Sequence, residues 1–179
     1  LFNRHGLRIF DIEHLSTHGG SLRILGCLAA SQRPVVPGAI EKVRKDEKSA
    51  GLDRLSGFTG LEPAAQQCRT EFNRFIAEQT GSSRRIAAYG APAKGNTFLN
   101  YCGITAAQIP FTVDRNPHKQ SCLLPGSRIP VSPVEDLTIE KPEYVVILPW
   151  NLRDEISAQL SELKSSGTQF VTAIPRLDI

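Results

Sequence analysis

Lys94 stands in the segment Tyr89-Gly-Ala-Pro-Ala-Lys-Gly-Asn-Thr97, where glycine, proline and small polar residues follow a short apolar run. Residues 85–100 read as a strand, a tight turn and a helix. A unit of this kind points the free N–H groups of a helix's first turn at an anion. Gly90 can take the turn at the end of Tyr89, and Gly95 lets a ligand approach the backbone. Lys94 adds a point charge, while Asn96 and Thr97 add hydrogen-bonding side chains. These groups suit the phosphates of a nucleotide. The bland alternative is an ordinary strand-to-helix turn with a surface lysine.

Two further segments could complete such a site. Asp114-Arg-Asn-Pro-His-Lys-Gln120 follows the next apolar run. Asp114 lies about two dozen residues beyond Gly90, roughly where dinucleotide-binding folds place an acid for ribose hydroxyls. Lys119 offers a second cation for phosphate. The same spacing equally fits a turn in which Asp114 and Asn116 cap the backbone. Leu148-Pro-Trp-Asn151 ends another apolar run. Trp150 could form a wall for a base or sugar and Asn151 could read a hydroxyl, unless Trp150 is core and Asn151 is a helix N-cap. His18, in Thr17-His-Gly-Gly-Ser-Leu-Arg23, is a possible acid–base group, though a lone turn histidine is more often structural. His118 has no paired acid or nucleophile and reads as exposed.

Other chemistries are poorly supported. The turn is neither G-x-x-x-x-G-K-[ST] nor G-x-G-x-x-G. No Ser/His/Asp arrangement or close carboxylate pair is evident, so the chain offers no convincing catalytic machinery. Cys27, Cys68, Cys102 and Cys122 are widely spaced and lack His at ligand spacing. This argues against a metal site and a disulfide framework, and for reduced thiols in the cytoplasm. The 21 basic and 18 acidic residues give a net charge of +3, too small an excess to predict nucleic acid or a membrane surface as a partner. The longest apolar run, near Trp150, is too short to span a bilayer.

The elements that must position these residues follow from periodicity. Residues 7–12 and 21–28 read as a hairpin around a turn at 17–20, and an isolated hairpin is marginal in water. Residues 32–38 read as a linker, and 39–49 as a charged, solvated helix with Glu41 and Lys45 at i,i+4 spacing. Thr59-Gly-Leu-Glu62 matches a capping box. It leads an amphipathic helix to about residue 80, with Leu61, Ala65, Cys68, Phe72, Phe75 and Ile76 on one face. Thereafter strands at 86–89, 110–114, 144–148 and 169–174, with an extended piece at 128–131, alternate with helices at 94–102 and after Asn151. The run 144–148 does not alternate, which marks a strand buried on both faces. The expected fold is α/β, with a Rossmann-like, mostly parallel sheet over 61–179, preceded by the hairpin and a long helix.

Taken together, the motifs resemble one family. Thr17-His-Gly-Gly-Ser-Leu-Arg23, the turn at 89–97, Asn100-Tyr-Cys-Gly-Ile104, Asp114-Arg-Asn-Pro-His-Lys119, Leu124-Pro-Gly126 and Leu148-Pro-Trp-Asn151 occur in this order in the C-terminal region of sugar C-methyltransferases. Those enzymes act on nucleotide-linked deoxysugars. The resemblance implies an N-terminal zinc-binding segment, a central domain holding S-adenosylmethionine, and a C-terminal Rossmann-like domain gripping the nucleotide sugar. On this reading residues 1–30 are the terminal strands of a methyltransferase domain, 31–60 a linker and charged helix, and 61–179 the sugar-nucleotide domain. The family's Glu-His pair and its glycine-rich methyl-donor loop lie upstream, so an isolated fragment is expected to be inactive. In the parent, a keto sugar loses a proton beside its carbonyl and the enolate attacks the methyl of S-adenosylmethionine.

By that resemblance the first turn contributes Tyr89, Gly90, Lys94, Gly95, Asn96 and Thr97 to the substrate. The next loop contributes Asp114, Asn116 and Lys119, and the last turn Trp150 and Asn151. His18 could line the junction between domains. The implied partners are a nucleotide sugar, with dTDP as the expected carrier, and the methyltransferase domain. Two other readings remain open from sequence: a non-catalytic nucleotide-binding module, and a nicotinamide-dependent oxidoreductase domain.

Overall fold

The computed structural model describes residues 1–179 apart from the side chain of His18. The chain forms two compact units, Leu1–Glu62 and Pro63–Ile179.

In the first unit, β1 (Leu7–Leu15) pairs antiparallel with β2 (Ser21–Leu28) around a 3-10 turn at Thr17–Gly19. A β-bulge between Ile9 and Asp11 leaves Phe10 outside the pairing. Phe10 is buried under the Arg33 guanidinium, 4.4 Å from its ring centroid. On one hairpin face Leu7, Ile9 and Ile12 stand opposite Leu28, Gly26 and Ile24, since directly paired residues share a face. This row is apolar, yet Leu22, Ile24 and Leu28 are 43%, 47% and 67% exposed. The helix α1 (Ala39–Ser49) buries only Val43, as a charged, solvated helix should.

The second unit is built on a five-stranded parallel sheet. Its strands are β3 (Ile86–Tyr89), β4 (Thr112–Val113), β5 (Val131–Ser132), β6 (Tyr144–Ile147) and β7 (Gln169–Val171), in the order β5-β4-β3-β6-β7. The chain thus builds outward from β3 in one direction, then returns to β3's other side through β6. That reversal makes a switch point between the carboxyl ends of β3 and β6, where open α/β sheets bind ligands.

Helices cover both faces. On one, Phe72, Phe75 and Ile76 of α2 (Leu61–Gly81) and Phe98 and Leu99 of α3 (Ala93–Cys102) pack against Ile86, Ala88, Val146 and Leu148. On the other, Leu137 of α4 (Asp136–Glu140), Ile156 of α5 (Arg153–Gln159) and Leu163 of α6 (Ser161–Ser165) meet Ala87, Val145 and Ile147. Successive residues of β6 therefore enter different cores, which explains its unbroken apolar run. The four cysteines are free, and burial pushes the Cys102 thiol up to about 12.

Several boundaries differ from the sequence reading. Pro110 has no N–H to place in a ladder, and β4 is confined to two residues. The extended piece at 128–131 becomes β5 at Val131–Ser132, because Arg128 takes a left-handed conformation and closes a loop with Leu124. At the expected capping box, α2 starts at Leu61, and the Thr59 hydroxyl donates to the Ser56 carbonyl at 2.9 Å. Leu61 is exposed, so the apolar face of α2 begins at Cys68. The helix after Asn151 is broken at Leu160 into α5 and α6, although Ile156, Leu160 and Leu163 all point inward as expected. The single-turn α4 carries too short a pattern to be read from periodicity. Beyond Val171 the expected strand is replaced by an isolated bridge between Thr172 and Asp178.

Phe72 is fully buried and packs at a tilt against Phe98, with ring centroids 5.1 Å apart, tying α2 to α3. Phe72→Ala is expected to cost about 3–5 kcal/mol of stability, measured by urea unfolding.

Candidate functional site

The turn after β3 is clamped from two sides. Gly90 has φ +89°, and its N–H donates to the Val113 carbonyl at 2.6 Å while its carbonyl accepts from the Thr112 hydroxyl at 2.9 Å. A Cβ at Gly90 would stand 2.7 Å from Cδ of Pro149, so both the conformation and the space require glycine. Helix α3 follows Pro92, whose extended backbone offers no capping side chain. The first helical bond runs from the Asn96 N–H to the Pro92 carbonyl, which leaves the N–H groups ahead of it without a partner inside the helix.

Gly95 also meets a packing demand that its motif does not show. It is buried, and a Cβ there would meet Cβ of Leu148 at 2.7 Å and Cγ of Pro92 at 3.1 Å. Its missing side chain lets α3 pack on the end of β6. The Thr97 hydroxyl turns back to the Ala93 carbonyl at 3.0 Å. Asn96 Oδ1 is buried with no hydrogen-bond partner.

Asp114 emerges at the end of β4 with its side chain 13% exposed. Oδ2 accepts from the Ala91 N–H at 2.8 Å and from Lys119 Nζ at 3.2 Å, and Oδ1 accepts from the Asn116 N–H at 2.9 Å. Lys119 Nζ also donates to the Ala91 carbonyl at 3.0 Å. Asn116 Oδ1 accepts from the N–H of His118, whose side chain is exposed. Of the two readings of Asp114, the turn-capping one describes this geometry. Burial alone would raise the Asp114 carboxyl, but the N–H groups of Asn116 and Ala91 together with the Lys119 ammonium outweigh it and hold the carboxyl below the usual carboxylate range.

Across the switch point, Trp150 and Asn151 lie in a 3-10 turn, Trp150–Leu152, that precedes α5. Lys94 Nζ sits 4.5 Å from the Trp150 ring centroid and donates to Asn151 Oδ1. Asn151 is therefore not an N-cap: α5 follows Leu152 and has no side-chain cap. A half-buried cation over an indole face is a favourable pair. Residues from the first and last motifs, 56 positions apart from Lys94 to Trp150, thus form one cluster.

A cavity of about 270 Å³ opens beside these elements, bordered by Gly90 and Pro92 from the first turn, Asp114 and Arg115 from the second, Pro149 from the third, and Gln159 of α5. A larger depression of about 530 Å³ lies against β7 and α6, bordered by Lys164 and Phe170, away from the strand ends and the motif residues. His18 lies outside the described side chains. Among the described residues, no group of three or more His, Cys, Asp or Glu is placed to hold a metal ion.

The model of the C-methyltransferase C-terminal domain family matches residues 16–175. The chain belongs to this family. The C-methyltransferase NovU of Streptomyces niveus is similar, with 31% identity over 175 residues, or 98% of this chain and 41% of NovU. The chain therefore spans well under half the length of that relative.

In this C-methyltransferase C-terminal domain, sequence reasoning missed three residues at the cavity. Arg115 and Gln159 meet through Arg115 Nη1 and Gln159 Oε1 at 3.5 Å, and Gln159 Nε2 donates to Glu155 at 3.0 Å. Tyr89 points its hydroxyl at the same Gln159 oxygen, also at 3.5 Å. Arg115 sat inside a recognised motif, so its neighbours were the available signal. Glu155 and Gln159 carried none, because their role depends on α5 turning back over β3.

Two measurements check this geometry. Trp150 is the only tryptophan, so its emission reports on Lys94 directly. Lys94→Met should change the emission spectrum, and an unchanged spectrum would remove the ammonium from the ring. The folded value of Asp114 is depressed, so its stabilisation is complete above its unfolded value near about pH 4 and is lost as pH falls through the lower folded value. Asp114→Asn should therefore be less stable than the parent sequence at pH 7, with the difference narrowing below about pH 4 in urea titrations.

Proposed function

We propose that this chain is the substrate-holding domain of an S-adenosylmethionine-dependent C-methyltransferase that acts on a nucleotide-linked, dTDP-type keto deoxysugar in the cytoplasm. The observation that carries the reading is the switch-point cluster. The uncapped start of α3, Lys94 over Trp150, and an adjoining cavity all lie at the carboxyl ends of β3 and β6.

The diphosphate meets the N–H groups at the start of α3 and the Lys94 ammonium, which exchanges its bond to Asn151 for a phosphate oxygen. Trp150 then offers an uncovered indole face to the ligand, with Asn151 free to read a hydroxyl. Asp114 and Lys119 act on the site by holding the two loops together. The domain contributes to catalysis by positioning, since fixing the nucleotide end converts the sugar's encounter with the methyl donor into a local event.

The chain's own residues do not fit S-adenosylmethionine. Asp114, the acid best placed for a ribose, already accepts three hydrogen bonds, and the first turn lacks a glycine-rich loop. S-adenosylmethionine bound in the parent would supply an electrophilic methyl carbon, and we assign its binding to a partner domain outside these residues. The hairpin supports the assignment: a bulged pair of strands with an exposed apolar row is what the edge of a larger sheet presents. No helix of the described residues is long and apolar enough to cross a membrane.

Calorimetric titration with a dTDP-linked sugar and with NAD tests the reading. Binding of the sugar nucleotide and not of NAD is expected, and the converse result would sink it. Lys94→Ala should weaken the sugar nucleotide by about 1–3 kcal/mol without unfolding the domain, as read from the same titration and a thermal melt.

A further inference from the structure

Three cations gather at the carboxyl ends of β3, β4 and β6, and their surroundings differ. Lys119 is held by the Ala91 carbonyl and the Asp114 carboxylate. Lys94 is held by Trp150 and Asn151. Arg115 is exposed, belongs to none of the ion pairs among the described residues, and makes one bond, to Gln159 at the 3.5 Å limit.

We propose that Arg115 is the second cation for the diphosphate of the nucleotide sugar and that Gln159 is the residue that positions it. The inference rests on the nucleotide-sugar reading above. Arg115 borders the cavity that runs from Pro92, at the start of α3, to Gln159 on α5. An anion there meets the positive end of α3 on one side and the guanidinium on the other. A diphosphate carries more charge than one lysine balances, and the planar fork of arginine matches phosphate oxygens two at a time.

The surrounding charges make Arg115 the group on which the cavity's polarity turns. Its acids are Asp114 and Glu155, and its bases are Arg115 and Lys119. Asp114 and Lys119 neutralise each other at 3.2 Å. That leaves Glu155, which would bind Arg115 as an ion pair if it could reach it. Gln159 stands between them. Its Nε2 donates to Glu155 Oε1 at 3.0 Å, which turns its Oε1 toward Arg115 and the Tyr89 hydroxyl. The amide thus occupies Glu155 and offers the guanidinium only a long bond, so the remaining N–H groups of Arg115 stay available.

Titration of the full chain with thymidine diphosphate, with melting curves as the folding control, tests both residues. Arg115→Ala should weaken binding by about 10–100-fold, the scale of a charge-assisted fork. Arg115→Lys, which keeps the charge and loses the fork, should recover only part of it. Gln159→Ala should cost several-fold in the wild-type background and nothing further beside Arg115→Ala, because a positioning residue acts only through the group it positions. Wild-type affinity in Arg115→Ala overturns the assignment of Arg115 while leaving the nucleotide-sugar reading in place. A full Gln159 effect in the Arg115→Ala background overturns the positioning role. If the unaltered chain binds no thymidine diphosphate, the assignment falls together with the reading on which it rests.

Discussion

The bonds converging on the Asp114 carboxylate join two loops that are separated in sequence but must meet for any site to exist at the strand ends. One oxygen holds the Ala91 N–H in the turn after β3, and the other holds the Asn116 N–H in its own loop. Lys119 closes the arrangement by bonding both the carboxylate and the Ala91 carbonyl. Burial opposes a charge at this position, and the convergence of donors is what makes the ionised form stable there. This lock adds to the bonds that Gly90 makes with Thr112 and Val113, and it ties the turn at Ala91 to the loop that carries Arg115.

Packing supplies the other half of the constraint. Gly95 brings α3 into contact with Leu148, and Gly90 brings the turn against Pro149. Both contacts fix the first βα unit against the end of β6. The consequence reaches the side chains, since only at this separation does Lys94 cover Trp150 and bond Asn151. Two glycines and one carboxylate therefore set the geometry of a crevice whose walls come from three different loops. Gly126 plays a similar part on the outer side, where a Cβ would stand 2.0 Å from Oδ1 of Asn100.

Membership of the C-methyltransferase C-terminal domain family gives this crevice a context. The substrate-holding role proposed above calls for rigid loops and a cation that can change partners, more than for a titrating base. The site fits that description. Its carboxylate is locked, and His118, the histidine of its second loop, is exposed. Lys94 rests on the Trp150 ring and the Asn151 amide oxygen.

The sequence by itself determined the order of the strands, the both-faces burial of β6, the family resemblance and the three loops that meet at the switch point. These follow from local signals: period, turn chemistry and motif spacing act over a few residues and survive without knowledge of the fold. It also marked Lys94, Asp114, Trp150 and Asn151 without fixing what each touches. Only the tertiary structure decided that Asp114 caps a turn, that Asn151 receives Lys94 instead of starting a helix, and that Gly95 faces Leu148. The same holds for Arg115, Glu155 and Gln159, which come together from β4's loop and α5. The physical reason is that a side chain's partner is set by where separate strands end in space. That depends on sheet order and helix packing, which no local pattern encodes.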